Sequence, residues 1–509
     1  MTPFNAPVDD ILFTMTHVAG ADAATGWDAE TAREVLTHFG QFAEGVIAPL
    51  NGPGDRQGAR LEQGRVHMPD GFGPAFRQLA EGGWQGLTAP EAFGGMGLSP
   101  LVAACVSEIF AGANHSLQMV CNLVPGAITT LLRFGTEAQQ AHWIPRLASG
   151  TALSTMCITE PAAGSDLGTI RTKATRDGDD WRLDGEKIFI SGGDQDMSDD
   201  ILHLVLARSG GPGIGGLSLF LCPRQSGARV TRIEEKLGLH ASPTCQMVFD
   251  GARAELIGAE GQGLAAMFVL MNHARLDVAL QGVGHAARAA GLARTYAGGR
   301  GQGRQADGSP AMLTHHADIR RMLDEQDALA LTTRAMCHVS LVQVAHGADP
   351  ALAEFLTSLC KVAGSEAGPR AADLGIQVLG GYGYLPEYGM EQIWRDARIC
   401  AIYEGANGIH MRTLVTRGLR SGGADLFEAL MTDLADGAPD ATLLARWHDL
   451  KARATAATDA TPLAHSFHEA AAALFRDCIG RRIAAVARHH PDPDRLRRLI
   501  TPLAKEHAA

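Results

Sequence analysis

The sequence predicts an α+β protein: an N-terminal helical domain, a middle antiparallel β domain, a C-terminal helical bundle and a helical extension. Three observations predict it. Roughly the first 150 residues carry helix-start signals and Gly-rich punctuation between helices. From Ala152 to about Gly258 the apolar runs are short and separated by Asp-Gly turn dipeptides. After Gly263 long helical segments return. At roughly 150 residues per domain, 509 residues suit about three such units. The expected boundaries are 1–151, 152–262, 263–419 and 420–509.

Taken in order, Ser99-Pro100 before LVAACVSEIF pairs an N-cap residue with proline at the first helical position. Thr136-Glu137-Ala138-Gln139 is a capping-box pattern opening AQQAHWIPRL. In the middle segment, ILHLVLA and LSLFL are brief apolar runs, and Asp177-Gly178, Asp184-Gly185 and Asp250-Gly251 suit tight hairpins. Gly211-Pro212-Gly213-Ile214-Gly215-Gly216 lies among these strands and reads as a turn. Three long helical stretches follow: LAAMFVLMNHARLDVALQGVGHAARAAGLARTYA, HHADIRRMLDEQDALALTTRAMCHVSLVQVA and EFLTSLCKVAGSEAGPRAADLGIQVLGG. Packing them antiparallel as a bundle buries their apolar faces. A break at RSGGAD opens a final run of Ala-rich helices.

Composition narrows the function. With 44 Lys+Arg against 56 Asp+Glu the net charge is −12, which argues against nucleic acid, since phosphate binding needs clustered cations. Apolar residues at 46% and charged residues at 20% exclude a mostly disordered chain. No run approaches the ~18 apolar residues of a membrane span, and MTPFNAPVDD has neither the basic nor the apolar region of a signal peptide. Nine scattered cysteines without a C-x-x-C pair fit a reduced, cytoplasmic protein. No phosphate loop, dinucleotide fingerprint, G-x-S-x-G elbow or H-E-x-x-H is present. The adjacent pairs His315-His316 and His489-His490 do not share a helix face, so no metal site is expected.

Two distant stretches carry the specific signal: CITEPAAGSDLGTIRTKATRDGDDWRLDGEKIFISGG (157–193) and QVLGGYGYLPEYGMEQIWRDARICAIYEGANGIH (377–410). Both resemble the acyl-CoA dehydrogenase flavoprotein family, over roughly residues 1–418 and in the same domain order. FNAPVDDILFTM, HHADIRRML and YEGANGIH are similar to one branch, which includes dehydrogenases of 3-(methylthio)propanoyl-CoA. That branch usually carries a C-terminal domain longer than the ~90 residues left here.

The resemblance implies FAD-dependent oxidation of the Cα–Cβ bond of an acyl-CoA to the 2-enoyl-CoA. A base removes the α-proton while the β-hydrogen leaves as hydride to flavin N5. A carboxylate in a dry pocket has its pKa raised toward that of the thioester's α-proton. Glu404 stands at the family's base position; read alone, it would be a surface carboxylate before Gly405. Some branches place the carboxylate on a bundle helix just before a substrate-binding Arg. Here that position is Ala274, followed by Arg275, which leaves Glu404 in the role. Arg275 resembles the Arg that helps hold the CoA portion, although a helix-surface Arg with a buried stem is the plainer reading. Gly405 and Ser165 are further substrate-binding candidates by the same resemblance.

For the cofactor, Met156, Ile158 and Thr159 match strand-end positions at the pyrimidine edge of the flavin. Gly164 and Ser165 match a loop near cofactor and CoA phosphates, where glycine admits close backbone approach and serine donates to oxygen. Phe189, Ile190 and Ser191 match an aromatic-Ile-Thr segment, with Phe189 over the flavin face and Ser191 near N5; core packing is the competing reading of Phe189. Arg300 matches an Arg that reaches the FAD diphosphate of a neighbouring subunit, and His316 a polar position near the cofactor. The family's Phe after that Arg is missing. Gln377, Gly380 and Gly381 match the segment the partner presents to the FAD adenosine, and Ala406, Asn407 and Gly408 a segment after the base, with Ala406 replacing the usual Thr.

The implied partners are an acyl-CoA, an electron-transferring flavoprotein, and a second copy in a homodimer or dimer of dimers. The branch resemblance points to short acyl chains, including 3-(methylthio)propanoyl-CoA. Two alternatives remain at this level: a same-fold flavin oxidase or monooxygenase, and a catalytically silent FAD-binding scaffold.

Overall fold

The computed structural model describes residues 3–506 apart from 25 and 436; side chains are also outside the description at 269, 270, 272, 273 and 501–506. The last three residues of the expected extension lie outside the described residues. The chain opens with helices α1 (Val8–Phe13), α2 (Ala29–Phe42) and α3 (Asn51–Gln57). A short hairpin, β1 (Arg60–Glu62) with β2 (Arg65–His67), interrupts the helices expected here. Then come α4 (Phe72–Glu81), α5 (Pro100–Cys121), α6 (Val124–Phe134) and α7 (Glu137–Ala148). Helix α5 begins at the proline the sequence marked, and its backbone breaks at Asn114 (φ −159°, ψ 93°). Helix α7 opens on a complete capping box: Gln139 N donates to Thr136 Oγ1 at 3.2 Å, and Thr136 N to Gln139 Oε1 at 3.1 Å.

Seven strands follow: β3 (Ala152–Cys157), β4 (Lys173–Asp177), β5 (Asp180–Ser191), β6 (Asp200–Arg208), β7 (Leu217–Pro223), β8 (Ala228–Ile233) and β9 (Thr244–Ile257). The expected antiparallel sheet is present, with two additions. Strand β3 runs parallel to β6. The pairings β6–β7, β7–β9, β9–β5, β5–β4 and β4–β6 close the sheet on itself. Asp177-Gly178 makes the anticipated hairpin turn, with Asp177 paired to Asp180. The other two Asp-Gly pairs are not turns. They interrupt the register between the long strands β5 and β9, where Gly251 N donates to Asp184 Oδ1 at 2.8 Å. Gly185, at φ +153°, is required there because a Cβ would meet Thr172 Oγ1 at 2.6 Å. The hexapeptide 211–216 is a turn between β6 and β7, tied by Arg208 Nη1 to the carbonyls of Gly211 and Gly213 at 2.6 and 2.9 Å.

The remainder is helical: α8 (Gly263–Gly299), a hairpin β10 (Gly301–Arg304) with β11 (Pro310–Met312), α9 (Ala317–Ala345), α10 (Pro350–Leu379), α11 (Met390–Ala397), α12 (Asn407–Thr413), α13 (Gly423–Leu434), α14 (Ala441–Ala456), α15 (Ala464–Val486) and α16 (Pro493–Glu506). The chain forms two compact units, one of Pro49–Ser99 with Asn114–Ala274, the other of Met1–Ala48, Pro100–Ala113 and Arg275–Ala509.

In the first of these units, Trp181, Leu183, Ile190, Val205, Phe220, Met247 and Phe249 fill the sheet interior together with Val66 of β2. The β1–β2 hairpin is held by Arg65 Nε donating to Asp194 Oδ2 at 2.8 Å. In the other unit, α8, α9 and α10 share one apolar core, which continues into the extension through Phe355, Phe427, Trp447, Phe467 and Phe475. Helix α9 is long and apolar enough to span a membrane by composition, but 72% of its most apolar window is buried inside the fold, as a core helix is. All nine cysteines are free and buried.

Candidate active site

Glu404 sits between the short helical turn Arg398–Ala401 and the start of α12. It adopts a left-handed backbone, φ +53°, and Gly405 follows at φ +93°. A non-glycine residue held there costs about 1–3 kcal/mol and persists only where its surroundings enforce it. Those surroundings are visible. His410 Nε2 donates to the Glu404 carbonyl at 3.1 Å, and a Cβ at Gly405 would come within 2.9 Å of the same nitrogen. Lys361 Nζ, from α10, donates to the Gly405 carbonyl at 2.7 Å and to Asn407 Oδ1 at 3.1 Å. Ser365 Oγ, one turn further along α10, donates to the same Asn407 oxygen at 3.0 Å. On the other side, the Tyr403 hydroxyl donates to Gln281 Oε1, and Gln281 Nε2 to Asp277 Oδ2 at 2.8 Å. Ser107 Oγ of α5 donates to the other oxygen of Asp277. Helices α5, α8, α10 and α12 thus fix one turn.

The electrostatics at Glu404 are balanced. Burial pushes its pKa up to about 7; the Arg275 and Lys361 cations pull it down, and Asp277 adds to the rise. Burial in turn lowers Lys361 to about 8 and draws Arg275 below its ordinary value, against the Glu404 charge. A carboxylate titrating near neutrality is the form a general base takes. Arg275 lies one residue after Ala274 on α8, and its charge is felt at Glu404.

The strand-edge candidates gather separately. Met156 and Ile158 end and follow β3, and the Thr159 carbonyl accepts from Ile188 N at 2.9 Å, which joins this edge to β5. Beneath it lies a buried ion pair: Lys187 Nζ donates to Glu160 Oε1 and to the Ile158 carbonyl, both at 2.9 Å. Gly164 and Ser165 are exposed in the loop that follows. Phe189 is 60% exposed at φ +60°, so it is no core residue. The side chain of Ile190 points into the sheet core, leaving only its backbone to serve a ligand. Ser191 is partly buried at the end of β5.

Four further candidates meet at one cavity. Arg300, Gln377, Gly380 and Gly381 line a volume of about 620 Å³ together with Tyr296 and Tyr382. The Arg300 guanidinium lies 5.8 Å from the centre of the Tyr382 ring. His316 Nε2 bonds the Gln302 carbonyl at 2.9 Å, fixing the hairpin beside that cavity. Ala406 and Gly408 are exposed around Asn407 at the start of α12. Sequence reasoning missed Lys361, Ser365, Asp277, Gln281 and His410. A lone lysine inside the apolar run SLCKVAG was the one legible signal among them.

Residues 29–151, 155–252 and 261–419 match the N-terminal, middle and C-terminal domains of acyl-CoA dehydrogenase. The chain is 39% identical over 482 residues to the 3-methylmercaptopropionyl-CoA dehydrogenase of Ruegeria pomeroyi, covering 87% of this chain and 82% of that protein. It is 33% identical over 462 residues to the broad-specificity linear acyl-CoA dehydrogenase FadE5 of Mycobacterium tuberculosis, covering 82% and 75%. In fold it resembles an acyl-CoA dehydrogenase complexed with FAD from Bacillus anthracis, with a TM-score of 0.79 at 20% identity over 94% of this chain and 86% of that one. The chain belongs to the acyl-CoA dehydrogenase family, flavin-dependent oxidoreductases acting on CH–CH bonds.

Proposed function

We propose that this enzyme converts an acyl-CoA to its 2-enoyl-CoA with Glu404 as the base. The observation that carries the reading is the Glu404 carboxylate, held on an enforced left-handed turn with its pKa pushed up to about 7. An ionised Glu404 takes the α-proton and becomes neutral, a form that its dry surroundings favour. The partly buried Arg275, whose charge reaches Glu404, supplies a cation for the CoA portion. By the family resemblance, Ser165 and Gly405 are further candidates for contact with the CoA ligand.

The residues present fit FAD. By the family resemblance the 620 Å³ cavity serves the FAD of a neighbouring subunit, with a guanidinium for a diphosphate, tyrosine rings for an aromatic base and a glycine edge open at Gly380 and Gly381. Met156, Ile158, Thr159, Phe189, Ile190 and Ser191 would border the flavin ring. Ala406, Asn407, Gly408 and His316 would lie along the remainder of the cofactor. When bound, FAD would supply the acceptor for the β-hydrogen and its electron pair.

The relative of Ruegeria pomeroyi supports short acyl chains, 3-(methylthio)propanoyl-CoA among them. The family resemblance supports an electron-transferring flavoprotein as acceptor and a homodimer or dimer of dimers as the assembly. The test is anaerobic mixing of the yellow protein with acyl-CoAs of short, medium, long, branched and methylthio type. Flavin bleaching strongest with the short and methylthio thioesters is expected; no bleaching with any of them would refute the reading.

A further inference from the structure

Lys361 is the feature that the reaction as described leaves unused. It is fully buried on α10. Among the described residues no carboxylate lies within ion-pair distance of it; its partners are the Gly405 carbonyl and the Asn407 side chain. A buried ammonium without a paired anion is costly, and such groups persist where they serve a site. Both partners flank the base: Gly405 directly follows Glu404, and Asn407 opens α12. Ser365 Oγ and Glu366 Oε1 complete Asn407, at 3.0 and 3.1 Å, so its amide cannot turn away.

We propose that Lys361 is the positioning residue of the base: its ammonium pins the turn that presents Glu404 and supplies a fixed positive charge to the carboxylate. The inference rests on Glu404 being the base. The charged and titratable groups packed around the turn are Arg275 and Asp277 of α8, Lys361 and Glu366 of α10, Cys400, Tyr403, and His410 of α12. Lys361 is bonded to the turn itself. The Arg275 charge also acts on the carboxylate. Lys361→Gln keeps a hydrogen-bond donor at similar reach and removes the charge. Lys361→Met removes both.

The experiment is kcat and kcat/KM against pH for the flavin-loaded wild type and both variants with one acyl-CoA, with flavin content and thermal unfolding recorded in parallel. Losing the charge moves the acid limb of kcat/KM up by about one pH unit in both variants, because Glu404 then holds its proton more tightly. Lys361→Met additionally lowers kcat by about tenfold or more, as the turn is no longer pinned. An unmoved acid limb in folded, flavin-loaded variants would overturn the proposal. So would failure of both variants to fold, which would make Lys361 a purely structural residue. Glu404→Gln run alongside separates the two readings: if it stays active, the base assignment fails; if it is inactive while the Lys361 variants keep the wild-type acid limb, this inference alone fails.

Discussion

At the scale of the residue, Glu404 carries two opposed consequences of one environment. As a base it is tuned, so Glu404→Gln is expected to keep flavin and acyl-CoA while kcat falls about 10²–10⁴-fold, the range general-base catalysis supplies. Steady-state kinetics with flavin content measured on the same sample checks this, and near-normal turnover would place the base elsewhere. As a charge that its surroundings partly desolvate, Glu404 is a burden. Its folded pKa stands above the ordinary 4.5, at about 7. The stabilisation from its proton is therefore fully present below about pH 4.5 and lost as pH rises through 7. Glu404→Gln should thus unfold at higher temperature than wild type at pH 8, by the equivalent of about 2–3 kcal/mol, with the gap closing toward pH 4.5. Thermal melts at three pH values decide it; an equal gap at every pH would mean the charge is not the cause. The base itself was legible, because Tyr403-Glu404-Gly405 sits inside a long motif. Its support was not: Lys361, Asp277 and Gln281 lie 43, 127 and 123 positions away in the chain, and only the fold brings them to one turn.

At the scale of the element, the crossing of α8 and α10 sets how closely that support is held. The two helices touch backbone to backbone. A Cβ at Gly282 would stand 2.0 Å from the Gly364 carbonyl oxygen, and one at Gly364 would stand 2.4 Å from that of Ala279. Neither carbonyl can swing aside as a side-chain end would. Gly364→Ala is expected to cost about 3 kcal/mol or more by overpacking and to lower kcat, since Lys361 and Ser365 flank it on α10. Gly291→Ala, on an exposed part of α8 with nothing within 4 Å, should gain a few tenths to about 1 kcal/mol from helix propensity. Urea midpoints for the pair check this, and equal midpoints would show that the crossing can relax. Helix starts were readable from sequence because a cap is settled among neighbouring residues, as at Thr136-Gln139, and Pro100 opens α5. The glycines of the crossing were not, since a partner helix 82 positions away gives them their meaning. The same reason turned Asp184-Gly185 and Asp250-Gly251 from expected hairpin turns into register breaks: the dipeptide sets the backbone preference, and the facing strand decides its use.

At the scale of the molecule, the two chain ends are joined through Asp10. Arg495 of α16 grips it with both terminal nitrogens, at 2.8 and 3.0 Å, and His490 Nε2 donates to it at 2.9 Å. Arg495 Nε also reaches Asp327 of α9 at 3.4 Å, and the buried Arg334 lies 3.7 Å from Asp10 while binding Glu108. Burial alone would raise the Asp10 pKa, yet the bonds from His490 and Arg495 and the Arg334 charge hold it well below the usual carboxylate range. The extension is therefore part of the fold's ionic framework as well as of its aromatic core. Removing one partner of such a pair leaves the others uncompensated, so Asp10→Ala should lower stability at pH 7 by roughly 2–4 kcal/mol. Because the folded pKa is depressed, the contribution is present above the unfolded value near 4 and lost as pH falls. Wild type and variant should therefore draw progressively closer in urea midpoint as pH falls below 4, whereas a cavity left by lost packing would keep the gap constant at every pH. Arg495→Met should reproduce the pH 7 loss, and the double variant should lose less than the two single losses together, since the second substitution removes a charge the first has already orphaned. Strict additivity would show that Asp10 and Arg495 stabilise the molecule through separate contacts and not as a clasp between its ends.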